Sequence, residues 1–220
     1  MPVDDNITAP LYHSDWMTVV LLLSGFFIWS VWRNAGSFLE QKSFEVLHGH
    51  NRKSLFASNT VSEFRMGIVL SIVHILITGL FLHQIAVYFN IGGGFLFYLE
   101  LCLLVLLYHT LKIGIVKYWN YLLGAGEKTS EWIKSYQVFN MILGLLLLPV
   151  VVVITYTYRG TETGLNIGLF LLVIYLVALL VRSVNIFFSN LSSFIYVILY
   201  FCVLEILPLM LAVKVALNSG

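Results

Sequence analysis

Seven ionisable side chains stand inside stretches of this chain that otherwise consist mainly of Leu, Ile, Val and Phe. They are His74, His83, Glu100, His109, Lys112, Arg182 and Glu205. In the hydrocarbon of a membrane a charged group costs about 2.5 to 3.5 kcal/mol on insertion scales, so it requires a partner, a water-filled cavity or a function. These residues are therefore the candidates for proton transfer, ion pairing or ligand binding.

The composition places these residues in a membrane protein. Of the 220 residues, 60% are hydrophobic and 10% are charged, and the mean hydropathy is +0.92, whereas soluble chains carry about 25% charged residues. A soluble enzyme is excluded, and the net charge of +1 excludes a strongly basic nucleic-acid-binding protein. The two cysteines, Cys102 and Cys202, both lie in apolar stretches and cannot form a disulfide framework or a zinc site.

Six apolar segments, each close to the ~20 residues that a membrane-spanning helix needs, predict an all-α polytopic membrane helix bundle. The predicted helices cover about 16–32, 66–88, 95–119, 136–156, 166–184 and 194–216. Polar and apolar residues do not alternate in them, which argues against a transmembrane barrel. Residues 33–65 mix bases with apolar residues at helical spacing, so we expect a connector with an amphipathic helix in the cytoplasmic interface.

The distribution of lysine and arginine predicts how the helices are oriented. Ten of the twelve fall in or beside the 33–65 connector, the third-to-fourth connection and the fifth-to-sixth turn, whereas only Arg159 and Lys214 fall on the opposite side. The tail before the first helix has three aspartates and no base. By the positive-inside rule, both termini lie outside the cytoplasm.

Asn90 and the glycines at 92–94 predict a tight turn, so the second and third helices form an antiparallel hairpin. Residues equally far from that turn lie level, which places His83 beside Glu100 and His74 beside His109. Nine residues turn a helix through about 180°, so His74 and His83 lie on opposite faces of the second helix, as do Glu100 and His109 on the third. Only one of the two pairs can therefore meet across the same interface. Because an acid and a base form a charge-assisted hydrogen bond, we predict the His83–Glu100 pair and expect the other two histidines to point to other helices.

Glu205 lies near the middle of the sixth predicted helix, where an isolated carboxylate is costly. Arg182 and Lys112 approach it from the cytoplasmic half, so we predict an intramembrane cluster of these three residues. Two interpretations stay open: a structural ion pair, and a working polar site. A simpler alternative for the two bases is that their long side chains reach the interface by themselves.

Sequence motifs of enzymes, such as GxSxG, HExxH and a phosphate loop, are absent. We therefore predict no catalytic residue and favour a protein without enzymatic activity. His48 and His50 in the connector have no third ligand beside them, so no metal site is predicted, and no cofactor is assigned. One cofactor hypothesis stays open, which is a haem held between His74 and His109 at their common depth.

The segment from Tyr196 to Pro208 reads YVILYFCVLEILP and resembles the C-terminal LYxCxxEIxP signature of a family of small polytopic proteins from the Bacteroidetes group, known only as a domain of unknown function. The matching residues are Leu199, Tyr200, Cys202, Glu205, Ile206 and Pro208. The resemblance implies a multi-pass protein of the bacterial inner membrane and implies no activity. Cys202 lies three residues from Glu205, on the same helix face, and is a candidate member of a polar site.

Three functional hypotheses follow from these observations. The first is a structural or accessory component of a membrane complex, which would bind a membrane-protein partner or a second copy of the chain in the bilayer. The second is a small proton-coupled transporter built around Glu205, Arg182 and Lys112. The third is a haem-binding membrane protein.

Overall fold

A computed structural model describes residues 15–48, 61–123, 126–157 and 161–187, and these residues form five helices, with a short turn described between the second and the third. The helices are α1 (Asp15–His48), α2 (Val61–Tyr88), α3 (Phe95–Leu123), α4 (Gly126–Tyr156) and α5 (Thr161–Phe187). No strand occurs in this part of the chain. The all-α fold predicted from the sequence is confirmed, while the sixth predicted helix, 194–216, lies outside the described residues.

Four of these helices are long and apolar enough to cross a membrane. The candidate spans are Gly67–Tyr88, Phe95–Tyr118, Thr129–Tyr156 and Glu162–Ile186. The apolar part of α1, Asp15–Val31, is shorter. Helices of this length satisfy their backbone hydrogen bonds internally, which is the condition for lying in lipid. The chain is therefore a membrane protein, as its composition predicts.

The turn between α2 and α3 closes with a Schellman motif. Asn90 has a left-handed φ of 56°, the backbone N–H of Asn90 donates to the carbonyl of Val87 at 3.0 Å, and that of Ile91 donates to the carbonyl of Ala86 at 2.9 Å. Asparagine is one of the few residues that adopts this conformation readily. The predicted hairpin is thus formed, and we call this end of the bundle the glycine-turn end, after Gly92–Gly94. The opposite end is the Arg182 end.

All five described helices extend beyond their predicted bounds, and two of them, α1 and α4, do so by ten residues or more. The first was predicted to stop at 32, but α1 continues to His48, because residues 33–48 contain no proline and are rich in residues that tolerate a helix. The predicted connector therefore begins as part of α1. The fourth was predicted to start at 136, but α4 starts at Gly126, so the polar residues before 136 belong to the same helix.

Helices α2 and α4 occupy the centre of the described bundle. In each, 56% of the most apolar part of the span is buried, against 17% in α3 and 22% in α5. The central pair approach closely at Gly144, where a Cβ atom would lie only 2.9 Å from the Cα of His74. Glycine is required there, since real carbon contacts are optimal at about 3.5 to 4.0 Å. The backbone of His74 is therefore held directly against α4.

A closely packed apolar layer fills the middle of the bundle. It consists of Ile77, Leu80 and Phe81 on α2 and Leu147 and Val151 on α4, all of which are fully buried. We call these five residues the apolar layer. Gly168 on α5 leaves the space that Phe81 occupies, because a Cβ there would lie 2.3 Å from the phenyl ring. The apolar layer thus packs α2 and α4 against each other and against α5.

Candidate functional site

The hydrogen-bonded pair His74 and His109 lies between α2 and α3. The two Nε2 atoms are 3.0 Å apart, the ring centroids are 5.0 Å apart, and His74 is only 3% exposed. At this distance one Nε2–H donates to the other Nε2. The pair therefore shares a proton between two neutral rings and cannot hold a proton on both facing nitrogens.

Helices α4 and α5 continue the hydrogen bonding on the His109 side. The hydroxyl of Tyr136 contacts His109 Nδ1, and Asn140 Nδ2 lies 3.5 Å from the same nitrogen. The hydroxyl of Tyr175 donates to Asn140 Oδ1, which leaves the amide NH₂ of Asn140 to face the histidine. His109 Nδ1 is therefore an acceptor, and its proton lies on Nε2.

The remaining nitrogen of the pair faces Thr78. The hydroxyl oxygen Oγ1 of Thr78 lies 3.4 Å from His74 Nδ1. Because His74 Nε2 accepts the proton of His109, His74 carries its own proton on Nδ1 and donates it toward the threonine. A directed chain of donors and acceptors results, which we call the histidine network. Its members are Thr78, His74, His109, Tyr136, Asn140 and Tyr175.

Lys112 lies one helical turn beyond His109 and is 1% exposed. Its Nζ donates to the hydroxyl of Tyr108 at 3.3 Å and lies 5.5 and 5.1 Å from the ring centroids of Tyr108 and Tyr136. Aromatic faces attract a cation most strongly where water is excluded. Trp132 stacks on the other side of this cluster, with its ring 5.1 Å from that of Tyr136 and nearly parallel to it. A fixed positive charge thus borders the histidine network.

Polar contacts between α4 and α5 continue toward the Arg182 end. Arg182 donates to Ser135 Oγ at 3.2 Å and to Glu131 at 2.8 Å. Trp132 Nε1 donates to Ser183 Oγ at 2.8 Å. The Glu131 side chain is 48% exposed, so this ion pair lies at the surface of the described bundle. Polar groups therefore extend from Thr78 toward this end.

The structure does not bring the predicted pair of His83 and Glu100 together. His83 is 1% exposed, and neither ring nitrogen has a hydrogen-bond partner among the described residues. The backbone of Gly94 is near the ring but outside hydrogen-bond geometry. The imidazole instead packs edge-on against Trp16, with centroids 5.2 Å apart. Glu100 is exposed. Glu100 lies inside the candidate span of α3, so its exposed carboxylate is on the membrane-facing side of the described bundle.

The argument that only one of the two pairs can meet was correct, but the pair that meets is His74 with His109. The choice of the His83–Glu100 pair considered only the side chains of α2 and α3 and left out those of α4. Tyr136 and Asn140 on α4 satisfy His109, while Thr78 satisfies His74. The sequence signal that could have shown this is the set of polar residues inside otherwise apolar stretches of the second, fourth and fifth helices.

The structure describes two members of the other predicted cluster, Lys112 and Arg182, and the contacts that it gives them differ. Lys112 lies among the aromatic rings of Tyr108 and Tyr136, whereas Arg182 binds Glu131 and Ser135. Glu131 was missed because the fourth helix was predicted to begin after it. Glu205 and Cys202 lie outside the described residues, so the contacts of Glu205 with the two bases stay a prediction.

A haem or single metal ion does not fit between the two histidines. Imidazole nitrogens on opposite sides of one metal ion stand about 4 Å apart, because each bond is about 2.0 to 2.1 Å long, but here they are 3.0 Å apart. The contact of Gly144 with His74 also leaves α2 no room to shift toward α4. Elsewhere in the described ranges, no group of three His, Cys, Asp or Glu side chains could hold a metal ion.

A family model described as a domain of unknown function, DUF4271, matches residues 17–216. The chain belongs to that family, in agreement with the resemblance to a domain of unknown function. The bacterial group and the C-terminal signature stay predictions. No curated protein and no solved structure shows significant similarity to the chain.

Proposed function

We propose that this DUF4271 protein is a proton-coupled component of the bacterial inner membrane, in which His74 and His109 bind and transfer a proton. The observation that carries the proposal is the 3.0 Å contact between their Nε2 atoms. Histidine is the side chain whose charge changes most readily near neutral pH. An imidazole pair in the hydrocarbon is thus a site at which a proton can be held and passed on.

The transfer proceeds along bonds that the network already has. A proton that reaches His109 Nδ1 from the Tyr136 side makes that ring an imidazolium. Its Nε2 proton then moves to His74 Nε2, so His109 becomes neutral again and His74, which keeps its Nδ1 proton beside Thr78, becomes the imidazolium. The pair therefore holds one added proton, which either ring can carry. The reverse transfer returns this proton to the Tyr136 side and restores the first arrangement.

The energetics support a function rather than packing alone. Replacing a buried polar cluster by apolar residues of similar volume is often neutral or stabilising, so the network is not needed for packing. Intramembrane ionisable groups mark proton and ion pathways in membrane proteins. The original prediction of a transporter centred on Glu205, Arg182 and Lys112 is therefore changed: Lys112 borders the proposed site, and the histidines replace the other two at its centre.

We also propose that the Arg182 end faces the cytoplasm. Arg33, Lys117, Lys134 and Arg182 all lie toward that end of the described helices, and the positive-inside rule places such residues in the cytoplasm. Both termini would then lie outside the cytoplasm.

A second candidate function, that of an accessory component of a membrane complex, is supported by Glu100. This carboxylate is exposed on α3 among the exposed side chains of Leu96, Leu99, Leu103 and Leu104, a surface that otherwise suits lipid. A partner protein or second copy that contacts Glu100 would remove it from hydrocarbon. A photo-crosslinker at Leu103 in native membranes is expected to give one defined product that Glu100→Gln removes; crosslinks to lipid alone would contradict this role.

The proton site is tested by electrical recording from proteoliposomes on a solid-supported membrane. A proton that enters the bilayer from solution moves charge across part of the dielectric, so a pH jump should produce a transient current even without a transported substrate. We expect the transient in the wild-type chain and its loss in His74→Gln and His109→Gln. His83→Gln is the matched control, because His83 is equally buried but lies outside the network.

Each variant is first checked for an unchanged elution profile in detergent, so that loss of current is not loss of fold. A His109→Gln protein that gives the wild-type transient would refute the proposal, as would a folded wild-type protein that gives none from either side of the membrane.

A further inference from the structure

We infer that the His74–His109 pair exchanges its proton with the Arg182 end of the bundle only, because the apolar layer closes the route to the glycine-turn end. The inference rests on the proposed function and adds a direction to it. The asymmetry comes from the distribution of polar groups along the central helices.

Toward the Arg182 end, polar groups follow one another at short intervals. The histidine network reaches Tyr136, whose ring is covered by Lys112 and Trp132. The side chains that connect α4 to α5 and reach the surface begin directly beside Tyr136 and end within about one and a half turns of it. They are Ser135, Ser183, Arg182 and Glu131. A route to solution through these groups requires a few ordered waters between them.

Toward the glycine-turn end, the polar groups stop at Thr78. The next polar contact between α2 and α4 is Gln84 with Thr155, six residues further along α2, which corresponds to about 9 Å at 1.5 Å per residue. Leu80, Phe81 and Val151 of the apolar layer lie in this interval, and all three are fully buried. A proton moves between hydrogen-bonded atoms about 2.7 to 3.0 Å apart, so it cannot cross the interval in one step.

Water does not bridge the interval either. A cavity holds water only where it is roomy and offers polar partners, whereas Phe81 fills the space left by Gly168, and the layer offers no polar side chain. Tyr98 on α3 is the phenol closest in level, but its hydroxyl donates to the carbonyl of Leu76 at 3.4 Å. That carbonyl precedes Thr78 on α2, so the hydroxyl lies on the network side of the layer.

The titratable and charged groups that face the pair agree with this direction. On α3 they are Tyr108, whose ring centroid lies 5.5 Å from that of His109, and Lys112, which interacts electrostatically with His109. On α4 and α5 they are Tyr136 and Tyr175. All of these lie level with the pair or toward the Arg182 end, whereas His83 lies beyond the layer.

The resting protein therefore binds a proton from one side of the membrane and does not conduct protons across it. In proteoliposomes of defined orientation, established with a protease-cleavable tag, a pH jump at the Arg182 end should give the transient current. The same jump at the glycine-turn end should give none, and neither jump should give a sustained current above protein-free liposomes. Transients of equal size from both sides, or a sustained current in the wild-type protein, would overturn the inference and leave the proton site itself standing.

A polar residue placed in the apolar layer should add a sustained proton current to the transient current. We expect Leu80→Asn to raise sustained proton flux severalfold, and Leu80→Asn combined with His109→Gln to return it to the background. Leu103→Asn is the matched control, because the same substitution is made at an exposed position of α3. Val151→Thr keeps the shape of the side chain and provides a second variant if Leu80→Asn fails to fold. Absence of a leak in every folded layer variant would also overturn the inference.

Discussion

Gly144 allows the closest approach of the two central helices, and Gly144→Ala should break the site by pushing them apart. The new Cβ would lie 2.9 Å from His74 Cα, 3.2 Å from its Cβ and 3.5 Å from its backbone nitrogen. Carbon atoms are in optimal contact at about 3.5 to 4.0 Å, so the helices must separate by at least about 0.6 Å. Two of these atoms belong to the backbone of His74 and the third is its Cβ, so no side-chain rotation relieves the clash.

The expected cost follows from two opposing effects. Overpacking of a tight contact costs about 1 to 3 kcal/mol, while replacing glycine by alanine in a helix returns up to about 1 kcal/mol. Gly114→Ala measures the second effect alone, because a Cβ at Gly114 meets nothing within 4 Å. The overpacking cost should therefore appear as the difference between the two variants, with Gly144→Ala less stable by about 1 to 3 kcal/mol.

The measurement is unfolding of both purified variants by SDS titration in micelles, followed by circular dichroism. The pH-jump transient is recorded in parallel, and it should fall in Gly144→Ala but not in Gly114→Ala, since only the former displaces His74. If Gly144→Ala proves as stable as Gly114→Ala and keeps the full transient, the close approach of α2 and α4 at His74 is not a feature of the protein.

Three further outcomes are expected from the same unfolding assay. His83→Leu should stabilise the protein by about 1 to 3 kcal/mol, because it removes a buried polar ring without hydrogen-bond partners; a clear loss of stability would mean that His83 has a partner. Arg182→Gln and Glu131→Gln should show a coupling below about 1 kcal/mol in a double-mutant cycle, since solvent screens a pair this exposed, and a larger coupling would contradict that exposure. Ser183→Ala should cost about 0.5 to 1.5 kcal/mol, because it removes the hydrogen bond that Ser183 Oγ accepts from Trp132 Nε1–H, and Trp132→Phe in the same background should then cost less than it does alone.

The helices themselves could be predicted from hydropathy, because the length of an apolar run is set by the thickness of the bilayer. The turn at Asn90 was predictable for a local reason, since few residues adopt a left-handed φ. The ends of α1 and α4 were not, because hydropathy marks where a helix leaves the hydrocarbon and not where its hydrogen bonding stops. Glu131 was lost from the candidate site for that reason alone.

The pairing of side chains was harder to predict than their depth. Counting residues from the turn correctly placed His74 level with His109, and helical rotation correctly allowed only one pair to meet. The choice between the pairs depended on α4, whose Tyr136 and Asn140 complete the hydrogen bonds of His109. Which face of α4 meets α3 is decided by packing among several helices at once, and a single sequence does not state it.

The position of Gly144 also determines which part of the molecule moves. Because α4 fixes the backbone of His74, a backbone shift that parts the two imidazoles must come from α3, which has the smallest buried share of the described candidate spans. Such a shift disturbs fewer contacts of the described helices than a shift of α2 or α4 would. The separation of the two rings should therefore respond more readily to the acyl-chain length and fluidity of the bilayer than the packing of α2 against α4.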